Sequence, residues 1–320
     1  MAPTPRYSLR ARASLAFLVL SAAPAAAQAP AQPAVIGRWN MVVTAPDGTR
    51  YPSWLEISKS GHATLVGRIV HRVGSSRPIS NIEHENGVIR FAIPRQWEEQ
   101  TGELRVEGTL TGSQLAGQLT TPGGERHTWT ATRAPWLERE RMPTWGTPIA
   151  LFDGKSLDGW TTEGPNQNKW SVVNGILTNA GGGANLMTTR KFDDFKLQVE
   201  FRYPKGSNSG IYLRGRYEAQ IEDIPLDSMP NPHQIGGIYG FLPPNQNAAK
   251  APGEWNTYEI TLVGRRVTVV LNGKTVVADA IIPGMTGGAI DSDEGSPGPI
   301  LLQGDHGPIE FRRVVLTPAR

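Results

Sequence analysis

The sequence lacks cysteine altogether, and this absence removes two kinds of structure at once. None of its 320 residues is a cysteine, so no disulfide can stabilise the fold and no thiol is available for lipid attachment. Long apolar runs are also missing beyond the first 27 residues, which excludes a membrane-spanning helix in that part of the sequence.

The first 27 residues have the pattern of a secretory leader. Arg6, Arg10 and Arg12 precede an apolar run at residues 13–20, and three alanines at 25–27 supply an A-x-A cleavage site. The run is about half as long as the roughly 20 apolar residues that a transmembrane helix needs. We therefore expect a cleaved signal peptide, no membrane anchor, and a periplasmic or secreted protein.

The sequence also lacks a net excess of charge of either sign once the leader is left out. The whole sequence holds 32 basic and 29 acidic residues, but the leader contributes three arginines and no acidic residue. The remainder therefore carries equal numbers of the two signs. This balance argues against nucleic acid and against an anionic membrane surface as partners, and favours a neutral small molecule.

What the sequence does contain points to an all-β fold in two domains. Glycine occurs 36 times and proline 26 times, and few long helical patterns are present. Short alternating segments at residues 34–134 predict a small antiparallel β-barrel that resembles the lipocalin or avidin kind, with Trp39 closing one end. Residues 135–147, rich in proline and charge, are predicted to be a linker, and residues 148–320 a second domain.

The second domain has clear strand and turn patterns. Apolar side chains occupy every second position from Phe195 to Phe201, as in a strand with one buried face. Asn272 and Gly273 separate two apolar segments, and this dipeptide is typical of a two-residue type I′ turn because both positions need a positive φ. The sequence therefore predicts a β-hairpin there.

Two neighbouring segments, residues 208–214 and 217–223, predict strands with one polar face each. The polar positions are Asn208, Tyr212 and Arg214 in the first, and Glu218, Gln220 and Glu222 in the second. Side by side, such strands would form a polar groove. The alternative is that these are ordinary solvent-facing strand residues.

A third polar segment lies near the C-terminus. Gln303, Gly304, Asp305, His306 and Gly307 follow one another directly. Histidine titrates near neutral pH, and a neighbouring carboxylate can tune it for proton transfer or metal ligation.

Five separated segments together resemble the 3-keto-disaccharide hydrolase family. They read LFDGKSLDGW, NSGIYLRG, YEAQIED, GEWN and LQGDHG, at residues 151–160, 208–215, 217–223, 253–256 and 302–307. The resemblance implies a concanavalin A-like jelly-roll β-sandwich whose concave face binds carbohydrate already oxidised to a ketone at C3. It also implies a functional link to a sugar 3-dehydrogenase. Gly304 is an extra residue relative to the family's Gln-Asp-His-Gly run, so the register of Asp305 stays open.

Cleavage of a 3-keto-glycoside requires particular chemical groups. The ketone acidifies the hydrogen on C2, so a general base there, an acid at the leaving oxygen and an electrophile at the ketone would suffice. We predict Glu218 as the base, His306 or Asp223 as the acid, and Arg214 as the electrophile. Direct hydrolysis by Glu218 with Asp223 is the alternative.

Other side chains are expected to contact the substrate without reacting. These candidates are Asn208, Tyr212, Gln220, Tyr239, Gln303 and Asp305. No cofactor is demanded, although Ca²⁺, Mn²⁺ or Zn²⁺ held by the acidic residues and His306 could replace Arg214 as the electrophile.

The sequence supports one further prediction about the barrel and leaves one alternative function open. His71, His84 and His127 in the barrel lack the spacing of metal ligands and are predicted to lie at the surface. A non-catalytic carbohydrate-binding module is the second function to weigh, because a jelly roll serves lectins as well as enzymes.

Overall fold

The computed structural model describes residue 1 and residues 34–95, 98–225 and 229–320. In this part of the chain all regular elements are β-strands and isolated bridges, which confirms the predicted all-β class. The same residues include no helix long and apolar enough to cross a membrane. Apart from residue 1, the predicted signal peptide lies outside the described residues.

The first eight strands form a closed antiparallel barrel. They are β1 Gly37–Thr44, β2 Arg50–Ser60, β3 Thr64–Val70, β4 Arg77–Glu85, β5 Val88–Ile93, β6 Leu104–Thr111, β7 Gln114–Thr120 and β8 Arg126–Arg133. Each strand pairs with the next along the chain, and β8 returns to pair with β1. The predicted small barrel is therefore confirmed.

Large apolar side chains fill the barrel interior. Trp39 and Trp129 are both buried, and Arg133 covers Trp39 with its guanidinium carbon 3.9 Å from the ring centroid. A Cβ added to Gly108 would lie 2.3 Å from Trp129, so the indole occupies the space that this glycine leaves. Around Trp39 and Trp129 the barrel interior is therefore a packed core.

Two barrel histidines do not lie at the surface as predicted. Tyr51 Oη is 2.8 Å from His127 Nδ1 and 3.2 Å from His71 Nε2, and Tyr51 and His127 are buried. Burial is the main cause that lowers the pKa of His71 to about 4. Spacing along the sequence could not show this cluster, because Tyr51 lies in β2, His71 directly after β3 and His127 in β8.

Two sheets form the second part of the molecule. One has the order β10 Trp160–Glu163, β13 Asn185–Thr188, β20 Leu301–Leu302, β15 Asn208–Leu213 and β16 Tyr217–Glu222. The other has the order β11 Trp170–Val173, β12 Ile176–Asn179, β21 Ile309–Pro318, β14 Phe195–Arg202, β17 Asn256–Val263, β18 Arg266–Leu271 and β19 Lys274–Ile281, and β9 Ile149–Phe152 pairs with β21. The inner faces of both sheets supply one hydrophobic core, as in a jelly-roll sandwich.

The predicted strand and turn patterns are confirmed in this sandwich. Phe195, Leu197, Val199 and Phe201 are all buried on one face of β14. Asn272 and Gly273 join β18 to β19 with φ values of +52° and +77°. Both values fall in the left-handed region that a type I′ turn requires.

Residues 135–147 lie against the sandwich. Leu137 is buried, Arg139 forms ion pairs with Asp193 and Asp194, and Trp145 pairs with Ala319. Residues Val35–Arg320 form one compact unit. That the barrel and the sandwich fold independently of each other stays a prediction.

Candidate active site

The face of the five-stranded sheet that points away from the core carries the candidate site, and we call it the polar face. Ile211, Leu213, Ala219 and Ile221 of β15 and β16 belong to the core. Because side chains alternate along a strand, the intervening residues point to the opposite side. Within β15 and β16, the polar face is therefore built from the positions that the sequence pattern indicated.

Glu218 and Tyr212 form a buried pair at the centre of this face. They are directly opposite in the β15–β16 register, and Tyr212 Oη lies 3.0 Å from Glu218 Oε2. Glu218 is only 3% exposed and Tyr212 only 4%. A Cβ at Gly210 would lie 2.3 Å from Glu218 Oε1, so the carboxyl group occupies the space left by that glycine.

Burial makes the carboxyl group of Glu218 a weaker acid than an ordinary glutamate. It raises the pKa of Glu218 to about 8, and Asp305 and Glu222 add to the increase, while the hydrogen bond from Tyr212 and the charge of His306 oppose it. Burial, reinforced by Glu218, also raises the pKa of Tyr212 well above its ordinary value. A carboxyl group with such a pKa is suited to proton transfer near neutral pH.

His306 and Asp305 supply a second proton-transfer group beside this pair. His306 Nδ1 lies 2.6 Å from Asp305 Oδ1, and this hydrogen bond is the main cause that raises the pKa of His306. The charges of Glu218 and Glu222 raise it further. The imidazole is exposed, so its other ring nitrogen, Nε2, can meet a ligand.

Tyr239 and Asn208 also lie with these groups. The backbone N–H of Tyr239 donates to Glu218 O at 3.0 Å, and burial, with the charges of Glu218 and Glu222, raises the pKa of its phenol to about 12. Asn208 is opposite Glu222 in the β15–β16 register.

The two glutamines of the predicted set differ in their freedom to bind a ligand. The N–H of Gln303 donates to Gly210 O at 2.9 Å, and its buried Oε1 has no hydrogen-bond partner among the described residues. Gln220 is buried as well, but its Oε1 accepts a hydrogen bond from the N–H of Ile221. Gln303 is therefore the glutamine with an unused acceptor.

The structure corrects the predicted placement of Arg214. It follows the last residue of β15 and has a φ of +53°, so the alternation that placed it on the polar face no longer applies. Its guanidinium forms an ion pair with Asp193 at 3.0 Å and donates to Gly264 O. Arg214 is fully buried and not brought to the candidate site.

Asp223 is likewise not brought to the pair. Its Oδ2 accepts a hydrogen bond from the N–H of Gly206 at 2.7 Å, and β16 has already ended at Glu222. Glu222, which was not among the predicted site residues, is the second carboxylate of the polar face. Burial raises its pKa and the charge of His306 opposes the increase. Strand alternation already indicated this position, because residues 218 and 222 are an even number of positions apart and so lie on the same face of β16.

The acidic residues do not form a metal cluster in the described part of the chain. No group of three or more His, Asp or Glu side chains there is placed to hold an ion.

The two packed sheets define the fold as a jelly-roll β-sandwich, and one sheet face carries acidic and basic groups. Residues 147–317 match the model of the 3-keto-alpha-glucoside-1,2-lyase-like domain, and the chain belongs to this family. The resemblance stated from the sequence is confirmed.

Three individual proteins are similar to parts of this chain. A 3-keto-disaccharide hydrolase of Bacteroides thetaiotaomicron is 27% identical over 165 residues, which cover 40% of this chain and 57% of that protein. The chain thus spans little more than half the length of this curated relative. A candidate glycosyl hydrolase from Parabacteroides distasonis is 29% identical and covers 57% of this chain and 93% of its own, with a TM-score of 0.47. An endo-beta-1,3(4)-glucanase of family GH16 is 13% identical and covers 58% and 96%, with a TM-score of 0.37.

Proposed function

We propose that this protein cleaves 3-keto-glycosides and that Glu218 removes the proton from C2 of the oxidised sugar. The observation that carries the proposal is a buried carboxyl group with a pKa of about 8 beside the His306–Asp305 pair. Family membership and the name of the Bacteroides thetaiotaomicron relative support the substrate class.

The reaction can be written with all protons accounted for. Glu218 takes the C2 proton, and the electrons of the broken C–H bond form an enolate with the C3 carbonyl. The enolate re-forms the ketone and breaks the bond between C1 and the glycosidic oxygen, which receives a proton from His306. Water then adds across the C1–C2 double bond, its hydroxide to C1 with His306 as base, and Glu218 returns its proton to C2.

The developing enolate needs donors other than Arg214. The phenol of Tyr239, which stays protonated because its pKa is about 12, and the amide NH₂ of Gln303 are neutral donors that can stabilise that oxygen. Neutral donors suit a buried site, because an unpaired charge there would carry a large desolvation cost.

The geometry favours elimination over direct hydrolysis by two carboxylates. That alternative uses Asp223 with Glu218, but Asp223 is bonded to the N–H of Gly206. Elimination requires one base and one acid, and Glu218 and His306 are close enough for the charge of each to shift the pKa of the other.

The substitution Glu218→Gln tests the assignment of the base. The amide retains shape and hydrogen-bonding reach but cannot accept the C2 proton, so we expect kcat on a 3-keto-glycoside to fall by about 10² to 10⁴-fold with substrate binding retained. Exchange of the C2 hydrogen with deuterium from solvent, followed by NMR, should slow in parallel.

Glu259→Gln is the matched control, because Glu259 is an exposed glutamate on β17 of the other sheet. It should retain the parent rate. Near-parent turnover by Glu218→Gln would contradict the role of Glu218, while a parent protein that binds 3-keto-glycosides without turnover would support the carbohydrate-binding module instead.

We also propose that the protein acts outside the cytoplasm, after an oxidation that converts the C3 hydroxyl of a glycoside into the ketone. The leader pattern at residues 1–27 supports export. N-terminal sequencing of the mature protein should begin at Gln28, and an uncleaved N-terminus would contradict export by this route.

A further inference from the structure

Residues 284–288, which we call the bridging loop, hold both members of the buried pair. Thr286 Oγ1 accepts a hydrogen bond from the N–H of Glu218 at 3.1 Å and donates one to Arg216 O at 3.2 Å. Gly287 O lies 3.0 Å from Tyr212 Oη. The bridging loop thus fixes the backbone of Glu218 and the phenol of Tyr212 at the same time.

The barrel contacts the other side of the same loop. The N–H of Gly288 donates to Arg72 O at 3.1 Å, in the segment between β3 and β4. A Cβ at Gly287 would lie 2.3 Å from Gly74 O, and a Cβ at Gly284 would lie 2.1 Å from the indole of Trp54. Because both contacts are closer than a side chain allows, the bridging loop packs directly against the backbone of Gly74 and against the indole of Trp54.

Trp54 is the centre of this contact. Its neighbours Ser53 and Leu55 are buried within the barrel, so Trp54 points outward from β2. It is nevertheless fully buried, because it packs with Val70 against Met285 and Phe241 of the sandwich. An outward-facing tryptophan that packs against Met285 and Phe241 of the sandwich contributes to the contact between the two parts of the molecule.

A second contact reaches the other segment beside the site. Ser76 Oγ donates to Gly240 O at 2.7 Å. Gly240 directly follows Tyr239, whose N–H is bonded to Glu218 O. The barrel therefore touches both segments that lie along the free edge of β16.

We propose that the barrel is a positioning element of the active site, and that Trp54, by clamping the bridging loop, keeps Glu218 and Tyr212 hydrogen-bonded and shielded from water. The polar face belongs to the family domain, whereas Trp54 and Ser76 lie outside residues 147–317. The barrel is thus assigned a role in the reaction without contacting the substrate. The kinetic consequence rests on the proposed function, but the effect on Glu218 does not.

The test compares Trp54→Ala with the parent in the full-length protein. Glu218 is titrated by ¹³C NMR of glutamate carboxyl groups, with Glu218→Gln identifying its signal, and kcat and KM are measured on a 3-keto-glycoside. Loosening the loop admits water, so we expect the pKa of Glu218 to fall by about one unit or more toward its ordinary value. We also expect kcat to fall about tenfold or more, with KM changed less than about threefold.

Leu104→Ala is the control, because Leu104 is buried in the barrel core and absent from the contact cluster around Trp54. It should weaken the barrel and leave the titration of Glu218 at the parent value. If Trp54→Ala does not fold, Ser76→Ala, which removes the hydrogen bond to Gly240, is judged by the same criterion.

An unchanged titration of Glu218 in Trp54→Ala, or an equal shift in Leu104→Ala, would overturn the positioning role. A parent protein without turnover would count against the proposed function alone, since the titration is measured without substrate.

Discussion

At the scale of single residues, the chemistry depends on the conflict between burial and charge at Glu218. A general base must be ionised to act, and with a pKa of about 8 roughly one molecule in ten carries the charge at pH 7. The compensation is that a base with a higher pKa accepts a proton from carbon more readily. Tyr212 moderates the balance, because its hydrogen bond lowers the pKa of Glu218.

The pH dependence of the reaction should report this balance. In the parent, kcat/KM should rise with pH as Glu218 ionises, with an apparent pKa near 8, and should fall where His306 loses the proton that it gives to the leaving oxygen. In Tyr212→Phe the lost hydrogen bond raises the pKa of Glu218, so the rising limb should move to higher pH and the rate at pH 7 should fall. Stopped assays across pH 5–10 would measure both profiles.

Tyr203→Phe provides the comparison, since Tyr203 is a buried tyrosine of the sandwich core. Its profile should coincide with that of the parent. A Tyr212→Phe limb at the parent position, or one moved to lower pH, would show that the phenol does not stabilise the ionised carboxyl group.

At the scale of strands, alternation predicted as much of the site as lies within β15 and β16. Tyr212 and Glu218 were placed on one face correctly because they are inside strands, where the period of two holds. Arg214 and Asp223 lie just past strand ends, and a positive φ at Arg214 breaks the alternation. Where a strand ends depends on hydrogen bonds to neighbouring strands, and the alternation of polar and apolar residues along the sequence does not show these bonds.

Contacts between distant elements could not be predicted in this way. Thr286 is 68 positions from Glu218 along the chain, and Gly287 is 75 positions from Tyr212. Only the folded arrangement brings these loops to the edge of β16. The Asn272–Gly273 turn is the opposite case, because two adjacent residues and their φ requirements specify it completely.

At the scale of the whole molecule, the sandwich has the features of a domain that can fold alone. Its core draws on both of its sheets, and the apolar contact with the barrel is confined to a small cluster around Trp54 and Met285. We expect residues 146–320, expressed alone, to give a soluble β-rich domain by circular dichroism and size-exclusion chromatography.

The isolated domain should unfold at a lower temperature than the full-length protein. It would lose the ion pairs of Arg139 with Asp193 and Asp194 and would expose Met285 to water. An insoluble or unfolded product would contradict the boundary near residue 146.

The hydroxyl of Tyr212 has one proton and two acceptors, since Glu218 Oε2 and Gly287 O both lie at 3.0 Å. When Glu218 is ionised, that proton is held by the carboxylate. When Glu218 carries a proton on Oε2, this O–H can donate to Tyr212, and the phenol can turn its own proton to Gly287 O. We therefore expect the acceptor of the Tyr212 hydroxyl to depend on the charge of Glu218, which couples the carboxyl group to the bridging loop. A closed chain of this kind accommodates the transferred proton without leaving an unmet donor in the interior.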